Sequence, residues 1–234
     1  MANVPVMKTF KIDVGDKGPV TGILLLPQRP RACYVMAHGA GAGMTHPFMA
    51  AVANGLCERN IGTLRYQFPF MEQGTRRPDG PATAHATVRA AVSEAVRLTP
   101  SVPLFAGGKS FGGRMTSQAQ AEAPLAEVRG LIFLGFPLHA AGQPSTLRAQ
   151  HLKQVHVPML FLQGTRDTLA DIELMDATTK ELGQHATLVQ VADGDHSFHV
   201  RARSGRTDTE ALAEMLDTAV SWMVGYAEPV PSRA

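Results

Sequence analysis

The sequence predicts an α/β fold in which helices cover both faces of one mostly parallel sheet. Strand-like and helix-like segments alternate after an opening hairpin, and the strand-like segments are continuously apolar. Alternation is typical of βαβ units, and continuously apolar strands indicate burial on both faces of a sheet. With 234 residues, of which 44% are hydrophobic, the chain can form one sizeable core. We therefore expect one domain over residues 1–227 and a flexible tail over residues 228–234.

The strands are predicted from short apolar runs between turn-forming residues. The first two form a hairpin, because Gly15-Asp16-Lys17-Gly18-Pro19 between them has the composition of a turn. The predicted strands cover residues 9–14, 20–26, 32–37, 61–66, 102–106, 128–134, 158–162 and 187–191.

The helices are predicted from apolar residues that recur at helical spacing, as Phe48, Val52 and Leu56 do. Thr207 and Glu210 form a capping box at the start of the last helix. The predicted helices cover residues 46–60, 82–98, 111–122, 171–182 and 207–226, with a long loop over residues 67–81 and a mixed segment over residues 136–155.

Charge and composition argue against several classes of function. A formal net charge of +2 is too small to indicate nucleic acid binding. The two cysteines, Cys33 and Cys57, form neither a disulfide framework nor a metal site. Residues 1–14 lack the apolar core of a signal peptide, and no apolar run reaches membrane-spanning length. We expect a cytoplasmic protein that uses no cofactor, metal, nucleic acid or membrane.

A candidate nucleophile stands at the end of a predicted strand. Gly108-Lys109-Ser110-Phe111-Gly112 matches G-x-S-x-G, in which a serine occupies a sharp turn between a strand and a helix. The bare pattern arises by chance about once in ten chains of this length. The residues around it must therefore decide whether Ser110 is a nucleophile. The competing interpretation is a P-loop, but that motif requires glycine at position 103, where this chain has Pro103.

A base and an acid for Ser110 follow it in the chain. A serine nucleophile needs a base to accept its proton and an acid to orient that base. Asp167 lies just past one predicted strand and His196 just past the next, which is the order serine, acid, histidine typical of one enzyme class. Asp171 is the better candidate for a helix cap. The remaining competitors are His199 for the base, and Asp193 and Asp195 for the acid.

Two backbone amides are predicted to form an oxyanion hole. The first belongs to Phe111, directly after the candidate nucleophile. The second should come from the glycine-rich loop after the third strand, where we choose Ala40, with Gly41 as the alternative. His38 is expected to hold this loop by hydrogen bonds rather than to take part in chemistry.

Taken together, these segments resemble the α/β-hydrolases, and among them the compact bacterial predicted hydrolases related to dienelactone hydrolase. The same group has relatives among eukaryotic NSL-complex subunits and testis-expressed proteins. The resemblance rests on His38-Gly39-Ala40-Gly41-Ala42-Gly43, Arg65-Tyr66-Gln67-Phe68-Pro69-Phe70, Gly107-Gly108-Lys109-Ser110-Phe111-Gly112-Gly113-Arg114, Gly164-Thr165-Arg166-Asp167, Asp195-His196-Ser197-Phe198 and Arg203-Ser204-Gly205-Arg206-Thr207. It implies the α/β-hydrolase fold with little or no cap domain, and a Ser110–Asp167–His196 triad. It assigns no role to Arg65, Tyr66 or Lys109.

The resulting functional prediction is hydrolysis of a small ester through an acyl-enzyme on Ser110, with an amide or thioester as less favoured substrates. The alternative is an interaction module of the same fold whose triad is idle, as in some eukaryotic relatives. No separate cap fits between the strands near Leu134 and Pro158, so a shallow site that prefers short acyl groups is expected. Residues 67–81 are expected to cover this site. Its edge is expected to include Phe136, Leu138, His139 and Leu147.

Overall fold

Eight strands form one sheet in the computed structural model, which describes residues 4–227. In chain order they are β1 (Val6–Asp13), β2 (Pro19–Leu26), β3 (Ala32–Ala37), β4 (Ile61–Tyr66), β5 (Leu104–Lys109), β6 (Val128–Leu134), β7 (Met159–Gly164) and β8 (Ala186–Val191). Across the sheet the order is β1-β2-β4-β3-β5-β6-β7-β8.

The sheet is antiparallel only at the end that holds the opening hairpin. β1 pairs with β2, and β2 pairs with β4, in antiparallel register. The strands from β3 to β8 are parallel to their neighbours. This confirms the predicted mostly parallel sheet. Since parallel strands end at the same edge, the loops after β3, β5, β7 and β8 meet there.

The helices return the chain between the strands. They are α1 (Pro47–Glu58), α2 (Pro69–Glu72), α3 (Pro81–Leu98), α4 (Phe111–Glu122), α5 (Ile172–Leu182) and α6 (Asp208–Ala227), and a 3-10 helix spans Leu147–Gln154. The short α2 lies within the segment predicted as a loop. Its Phe70 is buried, and the Phe70 amide donates to Asp79 Oδ2 at 3.0 Å, so a tertiary contact stabilises this turn.

The two faces of the sheet carry separate apolar cores. Apolar residues of α1 and α6, including Val52 and Met215, pack on one face. Residues of α3, α4 and α5, including Val88, Met115 and Met175, pack on the other. The central strands are therefore buried on both faces, as their continuous apolar sequences predicted.

Two strands continue past their predicted carboxyl ends, and both extensions lead into the candidate site. β5 continues through Gly107 and Gly108 to Lys109, and β7 continues to Gly164. Glycine is neither apolar nor a residue that favours strands, so a prediction based on apolar runs ends these two strands too early.

The single domain over residues 1–227 stays a prediction, and the tail over residues 228–234 lies outside the described residues. No helix within residues 4–227 is long and apolar enough to span a membrane.

Candidate active site

Ser110 occupies a sharp turn between β5 and α4. Its backbone has φ 50° and ψ −116°, a conformation that costs free energy and persists only where the surroundings enforce it. A Cβ at Gly108 would lie 2.1 Å from the Ala37 carbonyl oxygen, and one at Gly112 would lie 2.5 Å from that of His38. The glycines therefore let β3 and the following loop approach the serine closely.

Ser110, His196 and Asp167 form a continuous hydrogen-bonded chain. His196 Nε2 lies 2.8 Å from Ser110 Oγ, and His196 Nδ1 lies 2.7 Å from Asp167 Oδ2. With a proton on Nδ1, the ring donates to the carboxylate and leaves a lone pair on Nε2 to accept from the serine hydroxyl. The Asp167 side chain is fully buried, and that of His196 is 23% exposed. The three predicted residues thus have the geometry needed for proton transfer from the serine.

Asp167 is held by two further donors. Gln163 Nε2 donates to Asp167 Oδ2 at 2.6 Å, and the Leu169 amide donates to Oδ1 at 2.8 Å. The Gln163 side chain is itself fixed, because its Oε1 accepts from the Phe136 amide at 2.9 Å. Sequence reasoning missed Gln163. The sequence signal that could have identified Gln163 is a polar amide residue near the end of an otherwise apolar, buried strand.

The competing residues have other partners. Asp195 Oδ1 accepts from the amides of Ser197 and His199 at 2.8 and 3.0 Å, which stabilises the turn carrying His196. His199 is exposed and lies 2.8 Å from Asp208, and this hydrogen bond raises the pKa of His199. Asp171 caps α5 through its bonds to Glu173 and Leu174, as expected. The Asp193 amide donates to Thr165 Oγ1 at 3.0 Å.

The two amides proposed for the oxyanion hole lie beside Ser110. Phe111 is the first residue of α4, so its N–H has no partner within the helix. Ala40 lines the same cavity as Ser110, and so does the alternative, Gly41. The role of the Ala40 and Phe111 amides as an oxyanion hole stays a prediction.

Hydrogen bonds shape the loop that contains Ala40. The buried His38 lies 2.7 Å from the Gly39 carbonyl through Nδ1 and accepts from the Phe68 amide at 3.0 Å through Nε2. Burial lowers the pKa of His38 to about 4, so the ring is neutral at pH 7. Arg65 donates to the Met44 carbonyl at 3.1 Å further along this loop. His38 and Arg65 thus stabilise the loop by hydrogen bonds to its backbone carbonyls.

A cavity of about 390 Å³ opens next to Ser110 and His196. Phe48, Met49 and Leu169 supply its apolar wall. Leu138, by contrast, is fully buried in the core, as is Phe136, and Leu147 is 70% exposed.

The expected edge of the site is therefore wrong for Phe136, Leu138, His139 and Leu147, and residues 67–81 are also absent from the cavity lining. The wall comes instead from α1 and from the loop after β7, because these two elements reach over the carboxyl edge of the sheet. His139 has a structural contact there, since its Nε2 accepts from the Asp171 amide at 2.8 Å.

A second serine–histidine pair joins α4 to the 3-10 helix, and it differs from the first pair in its access to solvent. Ser117 Oγ lies 2.8 Å from His151 Nε2 and donates to the Arg114 carbonyl at 2.9 Å. Ser117 is fully buried. Burial and the nearby Arg114 and His85 lower the pKa of His151 to about 4. The pair is a packing feature and not a second candidate site. Across residues 4–227, no group of three or more His, Cys, Asp or Glu side chains is placed to hold a metal ion.

Several solved structures share this architecture. A dienelactone hydrolase from Anabaena variabilis is 20% identical with a TM-score of 0.75, covering 95% of this chain and 98% of that one. A serine hydrolase described as having no lid, from Xanthomonas campestris, is 21% identical with a TM-score of 0.70, covering 98% and 99%. An esterase domain from Rhodothermus marinus is 16% identical with a TM-score of 0.67, covering 95% and 100%. At these identities the likeness shows the fold.

The family follows from the sequence of most of the chain. The family model for the alpha/beta hydrolase domain matches residues 30–224, from the loop before β3 to the last turns of α6. The match includes the elbow, the acid and the histidine loop. It confirms the resemblance to the α/β-hydrolases. This chain belongs to the alpha/beta hydrolase domain family.

Proposed function

We propose that the protein is a serine hydrolase that cleaves small esters through an acyl-enzyme, with Ser110 as nucleophile, His196 as base and Asp167 as orienting acid. The observation that carries this proposal is the pair of contacts from one imidazole, 2.8 Å to Ser110 Oγ and 2.7 Å to Asp167 Oδ2. A hydroxyl within hydrogen-bond reach of an oriented base is the arrangement that serine nucleophiles require.

The reaction proceeds in two halves. Ser110 Oγ attacks the ester carbonyl carbon while its proton moves to His196 Nε2, and the resulting imidazolium is stabilised by Asp167. The tetrahedral intermediate collapses as the C–O bond to the alcohol breaks, and His196 returns the proton to the departing alkoxide. Water then repeats the sequence on the acyl-enzyme, with His196 again as base. The products are the carboxylic acid, the alcohol and free Ser110.

The amides of Ala40 and Phe111 stabilise the negative charge that develops on the carbonyl oxygen. Two preorganised N–H donors are suited to this task, since they need no reorganisation during the reaction. Loss of one oxyanion donor costs about 10²–10³ in kcat in a studied enzyme. The location of Ala40 in the cavity and of Phe111 at the start of α4 supports this assignment.

The cavity favours a small, uncharged acyl group. Its apolar wall of Phe48, Met49 and Leu169 suits hydrocarbon, and these side chains bound the space beside Ser110 that is open to the acyl group. The dienelactone hydrolase and the esterase among the similar structures also support an ester as substrate. The proposed partner is thus a small-molecule ester, in a protein we propose to be cytoplasmic.

A fluorophosphonate probe, which reacts with activated serines, tests the proposal. The wild type should be labelled, and Ser110→Ala should not. Ser117→Ala is the matched control: Ser117 lies on α4 and also contacts a histidine, His151, and this variant should keep the label. Absence of labelling in folded wild-type protein would contradict the proposal and favour the non-catalytic interaction module.

A further inference from the structure

Lys109 links the two loops that the proposed chemistry brings together. It is the last residue of β5 and directly precedes Ser110 in the chain. Its Nζ donates to the backbone carbonyl of His196, 87 positions away. The same ammonium lies 5.3 Å from the centre of the Phe198 ring, within the range of a cation–π contact. One side chain thus connects the strand end that carries the nucleophile to the turn that carries the base.

The ammonium lies close to the imidazole itself. A Cβ added at Gly135 would be 3.0 Å from Lys109 Nζ and 3.5 Å from His196 Nδ1, so both atoms border the same small space. The carboxylates of Asp167 and Asp195 attract the ammonium. The aliphatic part of Lys109 extends past Gly39, whose added Cβ would lie 3.7 Å from Lys109 Cγ. The side chain is therefore surrounded by the loops after β3, β6, β7 and β8.

We propose that Lys109 is a positioning residue that holds the His196 loop at hydrogen-bonding distance from Ser110. The inference rests on the proposed function. Lys109 and Ser110 are neighbours on one strand end, so a bond from Lys109 to the His196 backbone sets the separation between the nucleophile and its base. A charged donor makes this bond about twice as strong as a neutral one. Small displacements of a base from its nucleophile lower the rate steeply.

The charge of Lys109 makes this role dependent on pH. Burial lowers the pKa of Lys109 to about 8, against the opposing attraction of Asp167 and Asp195. Above that pH the side chain becomes a neutral amine, which still donates to the His196 carbonyl but without charge assistance and without the cation–π contact. The titratable groups that face it are Asp167, Asp195 and His196, with His46 across the cavity.

Kinetics of Lys109→Met and Lys109→Arg on p-nitrophenyl acetate between pH 6 and 10 test the inference. Lys109→Met should lower kcat at pH 7 on the order of tenfold to a hundredfold, with a smaller change in KM. The wild type should lose activity as pH rises past about 8 and approach the level of Lys109→Met. Lys109→Met should lack this alkaline loss. Lys109→Arg keeps its charge at every pH tested. It should also lack the alkaline loss, and it should be more active than Lys109→Met.

Lys153→Met is the matched control, since Lys153 is exposed and pairs with Glu181 across 2.6 Å, and it should behave as the wild type. The rate of fluorophosphonate labelling, measured on the folded fraction of each variant, separates loss of positioning from loss of folding. A wild-type rate in Lys109→Met, or an alkaline loss that persists in it, would overturn the inference. A wild type that is neither labelled nor active would contradict the proposed function instead.

Discussion

Gln163 donates a hydrogen bond to Asp167 across 2.6 Å, to the same carboxylate oxygen that His196 contacts. The amide of Gln163 is fully buried and has its second partner in the Phe136 backbone. The carboxylate that orients the proposed base is therefore itself oriented by a side chain four positions earlier in the chain.

Replacement of Gln163 by methionine should lower kcat/KM by about tenfold, because a hydrogen bond to a charged group is lost. It should also lower the free energy of unfolding by about 1–3 kcal/mol, because the buried Phe136 amide loses its acceptor. Steady-state kinetics and urea unfolding measure the two effects. Gln190→Met is the matched control, as this exposed residue is the register partner of Gln163 on β8. Equal effects in both variants would contradict the positioning role.

The proposed triad should act as one unit. Ser110→Ala and His196→Ala should each lower kcat by several orders of magnitude, and the double variant should be little worse than either, because both steps of proton transfer need both residues. Single-turnover kinetics of the three variants measure this. Losses that add on a logarithmic scale would argue against a shared proton transfer between Ser110 and His196.

His38 should make the protein less stable in mild acid. Its pKa is lowered to about 4 in the folded protein, whereas an unperturbed histidine has a pKa of about 6.5. Between these values the unfolded chain binds a proton that the folded chain does not, so the free energy of unfolding falls as pH decreases. The contribution of His38 is on the order of 3 kcal/mol when the pH falls through this window.

Urea unfolding at pH 7 and pH 4.5 measures this loss. Carboxylates also titrate in this range, so the wild type must be compared with His38→Gln, whose side-chain carbonyl can still accept from the Phe68 amide. The variant should lose less stability between the two pH values than the wild type. An equal loss in both proteins would show that His38 does not contribute.

The proposed enzyme should prefer short acyl chains. Each buried methylene is worth about 0.8 kcal/mol, and the gain should stop once the acyl chain reaches the wall formed by Phe48, Met49 and Leu169. A p-nitrophenyl ester series from acetate to palmitate measures the preference. Leu169→Ala, which removes part of the cavity wall, should move the optimum to longer chains. A steady rise of kcat/KM up to palmitate would contradict this prediction.

Local patterns were sufficient to locate the secondary structure of the core. β3, β4, β6 and α4 were predicted with the boundaries that the structure has, because each is a continuous apolar run or a periodic stripe bounded by turn-forming residues. The positions of Ser110, Asp167 and His196 after β5, β7 and β8 followed from the same patterns. Parallel strands end at one edge, so chain order alone indicated that the three residues could meet.

What surrounds the three residues was decided by the tertiary structure. Lys109 and His196 are 87 positions apart, and Phe48 reaches the cavity from α1. The predicted pocket edge at Phe136 and Leu138 was wrong because both side chains turn into the core beneath the site. Hydrophobic periodicity specifies which residues are buried but not which distant side chains they meet. Those contacts depend on strand order and on where each crossover helix packs, which only the assembled sheet determines.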